Sequence, residues 1–156
     1  MIIGRSEPLD FVGYEKLAAI PAKVDTGAYR SAVHADNIYV DDKGYLHFTL
    51  FANHPICAHC ATEVVTNKFT TASISNSFGD IEERYEVALK VKIGPKVFKG
   101  SFTLANRAKK IYPVLLGRKL LNGRFLVDSS VSGISRSELK AKYNILFPND
   151  EEDDAD

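Results

Sequence analysis

Seven residues, Ala22-Lys23-Val24-Asp25-Thr26-Gly27-Ala28, carry the most informative pattern in this chain. An apolar strand runs into a carboxylate, which is followed directly by a hydroxyl and a glycine. The triplet Asp25-Thr26-Gly27 alone says little, because aspartate and glycine are ordinary turn formers. A second stretch, Tyr112-Pro113-Val114-Leu115-Leu116-Gly117-Arg118-Lys119-Leu120-Leu121, is an apolar strand that ends in glycine and leads into a short helix. This second stretch makes a chance turn a poor explanation of the triplet, because the two motifs occur together in one chain.

Alternating apolar and polar residues indicate that most of the chain is β-strand. Apolar side chains occupy every second position from 85 to 93, which places them on one face of a half-buried strand. A turn at Gly94-Pro95-Lys96 predicts a return strand at 97–104. Many short strands with Gly-rich and Asp-rich turns predict an all-β barrel or sandwich. The other predicted elements are strands at 21–24, 38–40, 45–51, 69–74, 112–116 and 124–127, and short helices at 118–122 and 135–143.

Length and composition predict one domain. The chain has 156 residues, of which 45% are hydrophobic and 26% charged, and this is enough apolar material for one compact core. We place the domain at residues 1–147 and expect the acidic segment 148–156 to be disordered. Twenty basic residues balance twenty acidic ones, so the net charge does not predict binding to nucleic acid or to an anionic membrane.

The start of the sequence and its cysteines predict a cytoplasmic protein. A charged residue, Arg5, already stands within the first five positions, Met1-Ile2-Ile3-Gly4-Arg5, so no apolar signal region is visible. No later apolar stretch approaches membrane-spanning length. The two cysteines, Cys57 and Cys60, are too few for a disulfide framework. We expect them to be thiols.

The two opening motifs resemble those of aspartic peptidases, which combine an apolar strand running into Asp-Thr-Gly with a later apolar pair and glycine packed beside it. The chain also resembles a bacterial retropepsin-like family whose members are often named ATP-dependent zinc proteases, although these motifs give zinc no support. The resemblance implies a closed, retropepsin-like β-barrel with a flap hairpin and one or two short helices. The matching positions are 22–28 with Ser31 and His34, then Ser77, Gly79, Glu82 and Arg84, then 115–118 and 123–128.

The activity implied by this resemblance is that of an aspartic endopeptidase that uses no cofactor. Hydrolysis by carboxylates needs two of them sharing one proton, so that one takes a proton from water while the other donates to the carbonyl oxygen. The chain has one Asp-Thr-Gly and no internal repeat, so we expect Asp25 to meet its own copy across a homodimer. The interface is expected to include the terminal strands and the Asp25 loops. By resemblance, Thr26 holds the two loops together and Gly27 lets substrate approach closely.

Residues 70–86 are predicted to form a hairpin with its tip at 75–80. In retropepsins such a hairpin is a flap that closes over substrate. An ordinary exposed turn is the alternative, and the match of this segment to the family favours the flap. The predicted substrate-binding residues are Ala28, Ser77, Gly79, Arg84 and Arg118.

Two further expectations concern pH and substrate. Some aspartic peptidases carry Ser where this chain has Ala28, and without that hydroxyl donor we expect activity nearer to neutral pH. Members of the family are often associated with ligases that add glutamate to proteins or peptides, which implies glutamate-rich chains as a substrate class. Arginine forks bind carboxylates and cations steer acidic chains, whereas the alternative is structural ion pairing, with Arg84 matched to Glu82 or Glu83. The cations in or beside the motifs are Lys23, Arg30, Arg84, Arg118 and Arg124.

A cluster of potential metal ligands has a simpler interpretation. His54, Cys57, His59 and Cys60 fall within seven positions and suggest a metal, and a metallohydrolase that uses the first three of them is one alternative function. Structural zinc sites usually take four ligands from two separated pairs, and the sequence has no second cysteine pair. An ordinary loop with two thiols is favoured, and no metal is predicted.

Two other residues are expected to be structural, and one alternative function stays open. His34 is predicted to be packed, because an aspartic dyad needs no imidazole. Asp128-Ser129-Ser130 mimics an aspartic motif but lacks the glycine that close approach requires. The main alternative to a peptidase is a retropepsin-fold module that dimerises and binds peptides without cutting them.

Overall fold

The computed structural model describes residues 1–76 and 78–143, and strands are by far their commonest regular structure. Their alternating apolar patterns fit a pleated, half-buried surface. The strands are β1 Ile2–Ile3, β2 Ser6–Phe11, β3 Ile20–Val24, β4 Ser31–Val40, β5 Leu46–Leu50, β6 Thr62–Thr66, β7 Thr70–Ser75, β8 Ile81–Ile93, β9 Lys96–Ala105, β10 Val114–Leu116 and β11 Leu126–Val127. The helices are α1 Arg118–Leu121 and α2 Arg136–Tyr143, with a 3-10 helix at Ala58–Cys60.

Six of these strands close into a barrel in the order β10, β3, β2, β8, β9 and β4, with β4 returning to β10. The closing pair is antiparallel and joins Val114 to Val33, whereas β10 runs parallel to β3, with Leu116 opposite Val24. Strands β5 and β6 extend the sheet beyond β4, and β7 pairs with β8 outside the ring. The predicted all-β, retropepsin-like closed barrel is confirmed.

The barrel interior is a continuous apolar core. Phe11 lies at its centre, with ring centroids 5.6 Å from Phe51 and 6.0 Å from Phe102. A smaller apolar cluster of Ile56, Ile111, Tyr112 and Leu139 lies where α2 packs against the loops. The helix begins as predicted, because Ser135 Oγ accepts the Glu138 N–H at 3.1 Å and caps its first turn.

The largest difference from the predicted strands is β4. The sequence pattern predicted only 38–40, but the strand starts at Ser31. Residues 31–35 are all buried because β4 has β10 on one side and β9 on the other, so polar Ser31 and His34 enter the interior and the alternation disappears.

Three other strands were not predicted, namely β1, β2 and β6. Strand β2 contains Pro8, which lowers strand propensity, yet it pairs with β3 and places Pro8 opposite Pro21. Strand β1 has only two residues, and β6 lies at the end of the sheet order with partly exposed side chains. Such short or polar segments carry little periodic signal.

The predicted hairpin is present. Strands β7 and β8 pair from Thr70 opposite Glu86 to Ser75 opposite Ile81. The Asn76 N–H donates to the Asp80 carbonyl at 3.0 Å across the turn, and Phe78 at the tip is 89% exposed. Ser77, the predicted domain end at 147 and the acidic segment 148–156 lie outside the described residues. No helix in the described part of the chain has the length and apolar character needed to cross a membrane.

Candidate active site

The loop after β3 presents Asp25. The Asp25 N–H donates to the Leu116 carbonyl at 2.9 Å, which ties the start of the loop to the end of β10. The Asp25 carboxylate accepts the Gly27 N–H at 2.9 Å, and the Ala28 N–H donates to the Asp25 carbonyl at 3.2 Å. Asp25 is half-buried, while Thr26 and Gly27 are exposed. The carboxylate is therefore held in one orientation at the surface.

The turn after β10 packs directly against this loop. A Cβ atom on Gly117 would lie 2.5 Å from the Arg30 carbonyl oxygen and 2.8 Å from that of Tyr29, so only glycine fits there. The Gly117 N–H donates to Ser31 Oγ at 2.9 Å, and the Arg118 N–H donates to the Ala28 carbonyl at 2.8 Å. Close approach explains why glycine follows the apolar pair Leu115-Leu116.

Arg118 lies beside the Asp25 loop. Its Nη1 donates to the Thr26 carbonyl at 3.0 Å, and its guanidinium carbon lies 5.8 Å from the centroid of the Tyr29 ring. It lines a surface groove of about 630 Å³ together with Thr26, Leu126 and Val127. In this chain Arg118 therefore braces the loop, and its guanidinium is also exposed to that groove.

A second groove, of about 540 Å³, lies between the Asp25 loop and the β7–β8 hairpin. It brings together Ala28 and Arg84, two of the predicted substrate-binding residues, and their role in binding stays a prediction. Gly79 lies in the hairpin turn with a φ of 85° and lines neither this groove nor that of Arg118. The full lining is Gly27, Ala28, Tyr29, Arg30, Ala32, Ser73, Ile74, Ser75, Asn76, Arg84, Thr103, Arg107 and Leu115.

Two arginines of this groove, Arg84 and Arg30, are paired with glutamates of β8. Arg84 Nη2 lies 3.0 Å from Glu82 Oε2, one of the two partners expected from the sequence. Arg84 Nε is buried without a hydrogen-bond partner among the described residues. Arg30 Nη1 lies 2.8 Å from Glu86 Oε2. Both arginines therefore form the ion pairs that the sequence allowed and also line the groove, and their binding of an acidic substrate stays a prediction.

The motifs carried no signal for Arg107, and they placed Arg124 among the cations expected near the substrate. Arg107 lies in the loop after β9, outside every motif, and enters the groove wall only through the fold. Arg124 donates to the Leu120 carbonyl and lies over the Phe98 ring, with 4.7 Å from guanidinium carbon to centroid. It lines neither groove, because packing on Phe98 holds it elsewhere.

Asp128 forms a separate exposed turn. Its Oδ1 accepts the Ser130 N–H at 3.0 Å and the Ser130 hydroxyl at 2.6 Å. The hydroxyl bond, with the backbone bond beside it, lowers the pKa of the Asp128 carboxyl. Asp128 lines neither groove near Asp25, which agrees with the structural role expected for it.

His34 is packed, as predicted, and His54 shares its environment. The two rings are buried with centroids 5.2 Å apart. His34 Nε2 bonds the Ala52 carbonyl at 2.7 Å and His34 Nδ1 accepts the Arg107 N–H at 2.9 Å. His54 bonds the Lys110 carbonyl and accepts the Ile56 N–H. Burial lowers the pKa of both rings, that of His54 to about 4.

The loop that follows His54 has the features of an apolar core segment. Cys57 and Cys60 are buried free thiols, and burial raises the pKa of Cys57. Both nitrogens of His54 are already hydrogen-bonded within the protein. Within residues 1–76 and 78–143, no group of three or more His, Cys, Asp or Glu side chains is arranged to hold a metal ion.

An apolar surface continues from the Asp25 loop to the strand pair β1 and β11, where Ile2 lies opposite Leu126. Ile2 is 67% and Leu126 70% exposed. The groove that Thr26 lines reaches Leu126 and Val127, so the loop and the strand pair share one face. Large apolar side chains exposed together on one face are typical of a protein–protein interface.

Comparison with known proteins gives a consistent picture. The family model described as RimB-like, retropepsin-like aspartic endopeptidase RimB, matches residues 2–138. A protein of Shewanella halifaxensis named "probable alpha-L-glutamate ligase" is 34% identical over 120 residues, which are 73% of this chain and 25% of the relative. A protein of the same name from Parasynechococcus marenigrum is 30% identical over 149 residues, 92% of this chain and 32% of the relative. The chain thus spans about a quarter to a third of these curated relatives.

This chain matches nearly the whole length of one solved structure. The crystal structure of a Legionella pneumophila protein of unknown function superimposes with a TM-score of 0.66 at 27% identity. The match covers 85% of this chain and 95% of that one. The barrel described above is therefore also found in an experimental structure of a related protein.

Proposed function

This chain belongs to the RimB-like family of retropepsin-like aspartic endopeptidases, and on that premise we propose that it hydrolyses peptide bonds with two Asp25 carboxylates that meet across a homodimer. The observation that carries the proposal is the bracing of the Asp25 loop. The ends of β3 and β10 meet there, and the Gly27 N–H holds the carboxylate at 2.9 Å. A carboxylate fixed in this way, beside a groove large enough for an extended peptide, suits general acid–base catalysis.

The proposed chemistry uses one ionised and one protonated Asp25. The ionised carboxylate takes a proton from a water molecule, whose oxygen attacks the carbonyl carbon, while the protonated one donates to the carbonyl oxygen. Collapse of the tetrahedral intermediate breaks the C–N bond, and the amine leaves with a proton from the dyad. Thr26 and Gly27 shape the loop that presents each carboxylate.

A homodimer is needed because each chain supplies a single Asp-Thr-Gly. The apolar face of β1, β11 and the Asp25 loop supports this part of the proposal, since a two-fold contact through it would juxtapose the two loops. Light scattering on the active protein should give the mass of a dimer. A monomer at concentrations where peptides are cut would contradict the dyad, and Leu126→Glu on the exposed strand should weaken both dimer and activity.

The proposed substrates are glutamate-rich chains. The relatives named glutamate ligases support this class, because a domain fused to or related to such enzymes would meet glutamylated products. The hairpin groove adds a physical argument, since its described lining contains three arginines and no carboxylate. The Ser77, Gly79 and Arg84 hairpin would then act as a flap over the bound chain.

The test is hydrolysis of an oligoglutamate peptide compared with a neutral peptide of equal length, followed by mass spectrometry. We expect preferential cleavage of the acidic peptide, a preference that high salt reduces and that Arg84→Ala weakens. Better cleavage of the neutral peptide, with Arg84→Ala silent on both, would refute the acidic class. Binding of either peptide without any cleavage would instead favour the non-cutting, peptide-binding module. The cytoplasmic location and the lack of nucleic-acid or membrane partners remain predictions.

A further inference from the structure

We infer that Tyr29 and Arg118 form a carboxylate-binding subsite where the two grooves beside the Asp25 loop adjoin, and that this subsite takes an acidic side chain of the bound peptide. This inference rests on the proposed function, because it assigns one position of the proposed substrate. Tyr29 lies outside the motifs matched by resemblance, so its role follows from its place in the fold.

Tyr29 connects the two grooves, because their described linings share this residue. Its neighbours Gly27 and Ala28 line the hairpin groove, whereas Thr26 and Arg118 line the other groove. Tyr29 is 53% exposed, so its side chain is open to a ligand. A peptide that lies in the hairpin groove can therefore continue past the Tyr29 ring to the Arg118 guanidinium.

The Tyr29 ring is held by two guanidinium groups. The guanidinium carbons of Arg30 and Arg118 each lie 5.8 Å from its centroid, a separation at which a cation is attracted to an aromatic face. The Lys119 N–H donates to the Tyr29 carbonyl at 2.9 Å and holds the main chain. The Tyr29 hydroxyl makes no hydrogen bond within residues 1–76 and 78–143. It is therefore available to donate to a bound carboxylate.

Arg118 differs from the other arginines near the Asp25 loop in its charge partners. Arg30 and Arg84 are paired with glutamates of β8, whereas Arg118 forms no ion pair in the described part of the chain. Its Nη1 donates to the Thr26 carbonyl at 3.0 Å, and this one hydrogen bond leaves most of its five N–H groups unused. The residue is exposed, so a carboxylate can reach its guanidinium without displacing an anion.

The anchored guanidinium of Arg118 suits a carboxylate ligand. Arginine presents a planar fork that can bind both oxygens of a carboxylate. The contacts with Thr26 and Tyr29 already restrict the side chain, so binding orders it little further. The described lining of this groove also contains Lys119 and no Asp or Glu. Apolar residues such as Phe125 line it as well, so an aliphatic side chain is the competing ligand.

The experiment measures binding rather than cleavage, so that it does not depend on the proposed activity. The protein carries Asp25→Asn, and the probes are fluorescent glutamine-based peptides that bear a single glutamate at each position in turn. A second set of peptides bears leucine at the same positions. Lys43→Gln, which alters an exposed cation in the turn after β4, outside both grooves, is the matched control.

We expect glutamate at the position that reaches this subsite to bind about fivefold tighter than glutamine. Arg118→Gln should remove the gain at that position and leave the other positions unchanged. Tyr29→Phe, which keeps the ring and removes the hydroxyl, should weaken binding of the same peptide roughly twofold. Arg118→Lys keeps the charge without the fork, so we expect the same favoured position with a smaller gain.

Thermal melts show which variants are folded, because Arg118 also braces the Asp25 loop. If Arg118→Gln does not fold, Arg118→Lys and Tyr29→Phe decide the matter. Three results would overturn the inference: an equal loss at all positions in the folded variants, a positional profile that none of them changes, or tighter binding of leucine than of glutamate at the affected position. Absence of cleavage by the parent protein would refute the proposed hydrolysis but leave this binding result intact.

Discussion

Asp25-Thr26-Gly27 and Asp128-Ser129-Ser130 form the same local turn. In each, the aspartate Oδ1 accepts the backbone N–H two residues on, at 2.9 Å for Gly27 and 3.0 Å for Ser130. This is the ordinary turn chemistry of aspartate and requires nothing from the rest of the fold. The shared geometry means that local conformation cannot explain why one carboxylate would be catalytic and the other structural.

The difference lies in what surrounds each turn. The Asp25 loop is tied to Leu116 and Arg118 by backbone hydrogen bonds and lies between two grooves. The Asp128 turn is exposed, and its carboxylate is further occupied by the Ser130 hydroxyl at 2.6 Å. A candidate active site therefore arises here from strand packing around a common turn.

The largest effect is expected from removing each carboxylate in turn. Asp25→Asn should reduce hydrolysis by roughly 10²- to 10⁴-fold, because the dyad loses its general acid–base group. Asp128→Asn should leave most of the activity, since its partner Ser130 lies in an exposed turn. Turnover rates measure the effect of each variant, and circular dichroism is the folding control. Equal losses in two folded variants would show that the comparison is wrong.

The second effect is a loss of folding stability in acid, which comes from the buried histidines His54 and His34. His54 has a pKa of about 4 in the folded protein, against 6.5 in the unfolded chain. Between these values the unfolded chain binds more protons, so stability is complete above about pH 6.5 and falls as the pH drops towards 4. The loss from this group is about 3 kcal/mol, and His34 acts in the same direction.

Urea unfolding at a series of pH values measures this dependence. His54→Gln should flatten the curve between pH 6.5 and 4, although the variant will be less stable overall. His59→Gln, which alters an exposed ring, should leave the curve unchanged. A curve that keeps its full slope in His54→Gln would assign the acid sensitivity to other groups.

The third effect compares the glycines that support the two turns. A Cβ on Gly117 would lie 2.5 Å from the Arg30 carbonyl oxygen, and one on Gly4 2.4 Å from that of Val131, beside the Asp128 turn. Each alanine variant should lose about 1–3 kcal/mol of stability through this overlap. Gly117→Ala should also reduce turnover of the folded protein, whereas Gly4→Ala should not. Melting curves and rates on the same preparations separate these outcomes.

The smallest effect is a shift of the pH profile. A hydroxyl at position 28 would favour the ionised carboxylate, so Ala28→Ser should move the activity optimum to more acidic pH by a fraction of a unit. Ser130→Ala is the mirror experiment, because it removes the hydroxyl from the Asp128 turn. It should raise the pKa of Asp128 and leave the activity profile in place. An unmoved profile in Ala28→Ser would remove the hydrogen-bond argument.

Local patterns predicted much of this protein. The alternation at 85–93, the Asp-Thr-Gly after an apolar strand and the apolar pair before Gly117 indicated the barrel and the turn of Asp25. The partner of Arg84, Glu82, lies two residues away in the same strand and was also expected. Such features depend on side-chain periodicity and on neighbours within a few residues, which the order of amino acids states directly.

Tertiary structure decided the rest. The full length of β4, the placement of Arg107 in the groove wall and the diversion of Arg124 onto Phe98 all depend on partners distant in the sequence. Residue 31 pairs with residue 102, and residue 33 with residue 114, only when the barrel closes. Closure buries both faces of the first half of β4, residues 31–35, and brings the loop after β9 beside the hairpin. No local pattern records those contacts, because their free energy comes from burying surfaces that only the assembled strands create.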